Sequence, residues 1–292
     1  MNKGKGMSNE GGMHDNFGPK PWHQTNWDFR AALNFMFGGT GSGLLVLAAV
    51  SGLAGNLLRA EMLLGMALIG AGLLSVWFEI GRPLRAINVG FNPFTSWMTR
   101  ESFAAGAVFA LGLSVAWLGS QALAQAAALA ALVFAYCQGR MLRAAKGIPA
   151  WRVPALAWLV FITALAEGAG LFVVLATLFQ TPAKGVLAYF SLALVARGLA
   201  WSMYRGSVAK SAARPAMAVL DQAGKILIQF GTIAPLALLL LGLFAADIAR
   251  GALLLAGACA VATGWQFKFM LITRAAYNQG FTLPQLPVRG TR

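Results

Sequence analysis

Runs of about 20 apolar residues recur almost without a break from residue 31 to residue 271, and that pattern leaves the chain few ways to fold. About 20 residues in a helix reach across roughly 30 Å of hydrocarbon. Lipid offers no water to the backbone, so each run must satisfy its own N–H and C=O groups as a helix. With 58% of 292 residues hydrophobic and 11% charged, too little polar surface remains to cover a soluble body. The runs predict spans at 31–53, 62–80, 102–120, 122–142, 154–180, 185–204, 226–249 and 251–271, with tight turns near Ser120 and Arg250. The expected fold class is therefore all-α: a polytopic membrane protein of eight transmembrane helices, arranged as two four-helix bundles. Residues 1–21 read as a disordered tail with too few apolar groups to fold, 22–275 as the membrane domain, and 276–292 as a second tail.

Charge orients these spans. Lys and Arg in the N-terminal tail, in the loops after the second, fourth and sixth spans and at the C-terminal end number nineteen, Lys268 included. The opposite side has only Arg59, Lys184 and Arg250. Basic residues in short loops stay cytoplasmic, so both termini are expected in the cytoplasm, as in a bacterial inner membrane. The same distribution explains the net charge of +14 without nucleic acid, because no basic face with interleaved aromatics lies outside the spans. The longer loops, 81–101 and 205–225, make the cytoplasmic face the place for a partner protein to dock.

Several cofactors are excluded by residue type. The two histidines, His14 and His23, precede the first span, so a bis-histidine haem within the membrane is ruled out. Cys137 and Cys259 are too few for an iron–sulfur cluster. No set of residues suggests a metal site. The polar N-terminus predicts insertion through the first span itself, with no cleaved signal.

Ionisable groups at membrane depth are costly and point to function or to a buried pair. Glu167 in ALAEGAG and Arg197 in LVARGLAW lie well inside the fifth and sixth spans. They are expected either to pair or to form a proton path. Glu79, at the exit of the second span, reads as a headgroup-level partner of Arg82 or Arg85, or as a proton-handling carboxyl in a pocket. Tyr136, near the end of the fourth span, reads as an interfacial anchor or as a donor to a ligand carbonyl. Gly38, Gly39, Gly41 and Gly43 in the first span predict close helix packing, with room for a flat ligand that Asn34, one turn earlier, could orient. Trp22, Trp27, Trp97, Trp151 and Trp201 fit an aromatic belt.

The segment FEIGRPLRAINVGFNPFTSWMTRES, together with the glycine-rich first span and the Tyr136-x-x-Gly139 pattern, resembles the polysulfide reductase NrfD and DMSO reductase anchor (DmsC-like) family over residues 22–275. The stretch from Glu79 to Glu101 carries most of the specificity. The N-terminal PWHQTNWDFRAALNF is similar to the branch anchoring phenylacetyl-CoA:acceptor and sulfite-oxidising molybdoenzymes. The resemblance implies a haem-free membrane subunit that binds a quinone, menaquinone or ubiquinone. It exchanges electrons with a ferredoxin-like iron–sulfur subunit of a molybdopterin enzyme docked on the cytoplasmic face.

Carried over by position, Glu79 and Tyr136 are the quinone-reactive residues, and Asn34 and Arg82 help bind the ring. Arg85, Trp97 and Arg100 would hold the partner. Some relatives have Asp at the position of Glu79, and many carry a histidine near Asn34 that this chain lacks. A secondary transporter using Glu167 and Arg197 is a rival reading, but it predicts broken helices and an internal repeat, neither visible in the sequence. A purely structural anchor is the other rival.

Overall fold

A computed structural model describes residues 20–79, 88–179 and 181–280. Its helices are α1 (Phe29–Val50), α2 (Gly55–Trp77), α3 (Trp97–Leu118), α4 (Gln121–Ala144), the single turn α5 (Pro149–Arg152), α6 (Pro154–Phe179), α7 (Lys184–Val208), α8 (Arg214–Ile228), α9 (Ala234–Phe244) and α10 (Ala246–Thr273). A π-helical turn, Gln229–Ile233, fuses α8 and α9 into one span. Eight helical segments are thus long and apolar enough to cross a membrane, and the protein is an all-α, multi-pass membrane protein.

Local chemistry sets the ends. The Asp28 carboxylate accepts from the Arg30 N–H at 2.7 Å and starts α1, and Ser96 caps α3 through the Thr99 N–H at 3.3 Å. Such caps satisfy donors that the first helical turn leaves free. Gly119, at φ 65°, ends α3 in a left-handed conformation open to glycine, and Ser120 opens α4 at once. The tight turn expected near Ser120 is therefore present. The turn expected near Arg250 falls instead at Ala245, and Arg250 lies inside α10.

The seventh span also departs from expectation, beginning at Arg214 rather than 226. Residues 214–225 read as a cytoplasmic loop because Arg214, Asp221 and Lys225 interrupt the apolar run. All three are exposed, while Leu220, Ala223 and Leu227 are buried. The segment is an amphipathic first half of the helix.

Consecutive helices α1–α4 form one four-helix unit, and α6, α7, α8–α9 and α10 form the other. The two are not separate bundles, because α1 and α4 both pack on α6 and α1 also meets α10. Glycine makes that seam possible. A methyl on Gly43 would strike the Ala164 carbonyl, and one on Gly168 would strike the backbone of Gly43 and Leu44. Gly41 makes a similar approach to the Gly65 carbonyl. The glycines of α1 thus serve backbone contact on several faces at once.

The segments that flank the bundle, 22–24 and 276–278, pair with each other. The Gln24 N–H donates to the Ala276 carbonyl at 2.9 Å, and the Asn278 N–H donates to the Trp22 carbonyl at 2.8 Å. Both ends of the bundle therefore lie at one end of the molecule, the terminal face. Packing continues past the expected boundary at 275, since Ala276 is fully buried. Residues 1–19 and 281–292 of the expected tails lie outside the described residues.

Candidate functional site

A cavity of about 370 Å³ opens among α1, α2, α3 and the end of α4 near the terminal face. Trp27, Phe35, Leu73, Trp77, Met98 and Met141 give it flat, apolar walls, while Asn34, Glu79 and Glu101 supply polar groups. Few polar groups in a mostly apolar cleft is the usual make-up of a site for a flat organic ligand.

The polar wall is held from three helices. The Asn34 amide donates to Glu101 Oε1 at 3.3 Å. Gln138, fully buried on α4, donates from Nε2 to the Asn34 backbone carbonyl at 2.9 Å. Gly72 on α2 leaves room for the Asn34 side chain, since a methyl there would come 3.1 Å from its Oδ1. Both Asn34 Oδ1 and Gln138 Oε1 are buried without a protein partner. Unpaired acceptors at depth are uncommon, and each asks for an explanation such as a ligand or water.

Glu79 follows the end of α2, at the mouth of the same cavity. Partial burial, with Asp28 nearby, raises its carboxyl above the ordinary range, against the pull of Arg30. A carboxyl displaced in that direction holds or releases a proton closer to neutrality. The floor of the cavity is pinned by the loop before α3. Thr99 Oγ1 donates to the Val89 carbonyl, and the Arg100 guanidinium donates to the carbonyls of Pro93 at 2.8 Å and Phe94 at 2.6 Å.

Tyr136 is not among the residues lining this cavity. Its ring packs against Trp97, Trp158 and Phe161, and its hydroxyl accepts from Arg140 Nη1 at 2.7 Å. The Trp97 ring lies under both Arg100 and Arg140, whose guanidinium carbons sit 4.2 and 4.1 Å from its centroid. Trp97 and Arg100 therefore brace the α3–α4 edge beside the cavity. Arg82 and Arg85 lie outside the described residues.

The expected Glu167–Arg197 pair is corrected by the structure. Glu167 Oε2 accepts from Lys268 Nζ at 2.7 Å and from Thr40 Oγ1 at 3.0 Å, and the Trp265 indole donates to Thr40 at 2.8 Å. Arg197 instead donates to two main-chain carbonyls, Ala260 at 3.0 Å and Gly231. The reason lies four residues after Gly231. Pro235 has no N–H to give that carbonyl, and the guanidinium takes the vacant place beside the π-helical turn. Lys268, counted above among the interfacial cations, is 1% exposed and reaches the Phe35 carbonyl at 2.9 Å.

Sequence reasoning passed over Glu101, Gln138 and Lys268. Glu101 belongs to the Ser-Trp-Met segment and lies one turn inside α3. Gln138 is a lone amide inside an apolar run, and Lys268 stands five residues before the end of one. A proline within an apolar run, Pro235, was the available sign of a disturbed helix.

A family model described as DMSO reductase anchor subunit (DmsC) matches residues 32–250, which takes in α1 through α9 and every residue of the cavity from Asn34 onward. No curated protein matches the chain. With three quarters of its length matched and the eight-span fold on the page, this protein belongs to the DMSO reductase anchor subunit (DmsC) family, the membrane anchors of molybdoenzymes.

Proposed function

We propose that the cavity binds the headgroup of a membrane quinone, and that the protein passes electrons between the quinone pool and an iron–sulfur subunit of its molybdoenzyme. One observation carries this reading: a flat-walled cavity between the ends of the spans that holds the Asn34–Glu101 pair and Glu79. The residues fit the reduced form of such a group, because Asn34 Oδ1 is a buried acceptor with no protein partner, suited to the O–H of a quinol, and the aromatic walls match a planar ring. A bound quinone supplies two-electron, two-proton chemistry. The chain's own part is to place the ring, exclude water and move protons. Asn34 orients the ring edge, Glu101 takes or gives a proton at its carboxyl, and Glu79 exchanges that proton with water at the mouth.

The partner docks on the terminal face in this reading, where the loop 88–96, the paired segments 22–24 and 276–278, and most of the described basic residues lie. By the charge distribution this face is cytoplasmic, in a bacterial inner membrane. Arg100 and Trp97 then hold the loop against which the iron–sulfur subunit rests.

The test uses the intact complex. Glu101→Gln and Asn34→Leu are expected to weaken binding of a quinone analogue and slow quinol-linked turnover, while the complex still assembles in the membrane. Glu79→Gln is expected to slow turnover with analogue binding retained. Unchanged quinone kinetics in all three variants would overturn the site. An assembled wild-type complex that binds no analogue would leave a structural anchor.

A further inference from the structure

Three ionisable side chains are buried near the middle of the bundle, Lys268 in contact with Glu167 and Arg197 close enough for its charge to act on both, and their charges do not balance. Glu167 and Arg197 are fully buried and Lys268 is 1% exposed. Fully ionised, they carry two positive charges and one negative. An uncompensated charge in so apolar a place is expensive. Arginine does not surrender its proton in proteins. Charge balance within the trio would require Lys268 to give up a proton, leaving Glu167 ionised with Arg197 as its fixed counter-charge.

The geometry is built around that amine and that carboxylate. A methyl on Gly39 would collide with Lys268 Nζ, and one on Gly264 would collide with Glu167 Oε1, so both groups occupy room that glycine leaves. Glu167 Oε1 and Thr163 Oγ1, one turn apart on α6, are buried without a protein partner. Facing Lys268, α1 contributes the Phe35 carbonyl and Thr40, α6 contributes Glu167, α7 contributes Arg197, and α10 itself contributes Trp265. The charged residues of α8 are exposed.

Position decides which way a proton can travel. Toward the cavity, Lys268 holds the carbonyl of Phe35, which itself lines the cavity next to Asn34. Toward the other membrane face, the packed core is Leu44–Ala49, Leu58, Val115, Phe172, Val173, Ala176, Val186 and Phe190 with their neighbours; no charged side chain is fully buried in it among the described residues, and Arg59 and Glu61, in the first turns of α2, are only half-buried at its edge.

We propose that Lys268 and Glu167, with Arg197 as a fixed cation, hold one exchangeable proton that is traded with the cavity side and not with the opposite face. When the proton arrives, an N–H bond forms on the Lys268 amine and the trio passes from formal charge zero to plus one. When it leaves toward the cavity, neutrality returns. No electron is transferred within the trio. The pair thus buffers the charge of a proton lost or gained in the cavity. This inference rests on the quinone reading, and the experiment separates the two.

The intact complex, reconstituted in vesicles, is compared as wild type, Lys268→Arg, Lys268→Met and Glu167→Gln/Lys268→Met. Analogue binding reports on the quinone reading alone and is expected to stay normal in all four. Quinol-linked turnover is expected to fall on the order of tenfold or more in every variant, with the wild-type pH profile flattened. No protons should appear on the face opposite the cavity. Lys268→Arg keeps a permanent positive charge, so wild-type rate and pH profile in that variant would reduce the pair to a structural contact and overturn the proposal. Should Lys268→Arg fail to assemble, the double variant, which keeps the positive charge of Arg197 and no exchangeable proton, decides in the same way. Proton release on the far face would also overturn it.

Discussion

The two halves of this bundle are made from the same helices and have little else in common. Toward the terminal face the core is aromatic and hydrogen-bonded. The Trp151 indole donates to the Leu271 carbonyl at 3.1 Å, and the Tyr204 hydroxyl donates to the Ala150 carbonyl at 2.9 Å. Toward the other face it is aliphatic, with Leu, Val and Ala interleaved around Phe172 and Phe190. All four charged side chains that are buried among the described residues, Glu101, Glu167, Arg197 and Lys268, lie at mid-bundle or on the terminal side. Under the proposed function, that contrast would keep redox chemistry local, with one half solvating protons and the other, insulating half excluding them.

The largest way to break that division is to strand one of its charges. Glu167→Leu leaves the buried Arg197 charge without its counter-charge and should cost about 3–5 kcal/mol, whereas adding Arg197→Met should recover part of the loss. Denaturation of the solubilised protein measures both, and a double variant no better than the single would refute the charge argument. Next comes chemistry in the polar half. Glu101→Gln should lower quinol-linked turnover by about a hundredfold, near 2.7 kcal/mol of barrier, with assembly intact. Steady-state kinetics that match wild type would remove Glu101 from the site.

The insulating half should respond differently. Val173→Ala, deep in the aliphatic core, is expected to cost roughly 2 kcal/mol of stability and leave the quinone KM and rate alone. A changed KM would mean that the halves are coupled. The smallest effect belongs to the cap of α1. Arg30 holds the Asp28 carboxyl below the ordinary range, so its contribution exists above the unfolded pKa and fades as pH falls through the folded one. Both side chains are more than a third exposed, and solvent screening keeps the ion pair weak. Asp28→Ala should cost about 1 kcal/mol, chiefly through the lost cap, and a thermal melt against pH would detect the vanished acid limb.

The insulating half was the easier one to read in advance. Uniform apolar runs fix where helices cross, and seven of the eight spans begin within about seven residues of where hydropathy places them. The glycines of α1 were legible too, because small residues at such spacings have few other uses in lipid. The polar half was harder, since its partners are far apart in sequence. Glu101 meets Asn34 across 67 positions and Lys268 meets Glu167 across 101. Hydropathy ranks Arg197 and Lys268 alike as interruptions of an apolar run. It cannot tell that a proline has opened a carbonyl for the first, or that a glycine has opened a space for the second. The sequence pairs Glu167 with Arg197 because both lie well inside their spans, yet the helix that supplies its partner is the last one in the chain.

The backbone pairing of residues 22–24 with 276–278 bears on how the protein is made. Trp27 and Asn26 line the cavity, and the Gln24 side chain that positions Trp27 also reaches the Ile272 carbonyl. The rim of the cavity therefore cannot set until the ribosome has delivered the last helix to the membrane. An unfinished polypeptide, even one with seven spans inserted, would carry a cavity with an incomplete rim, and biogenesis would check its own completion.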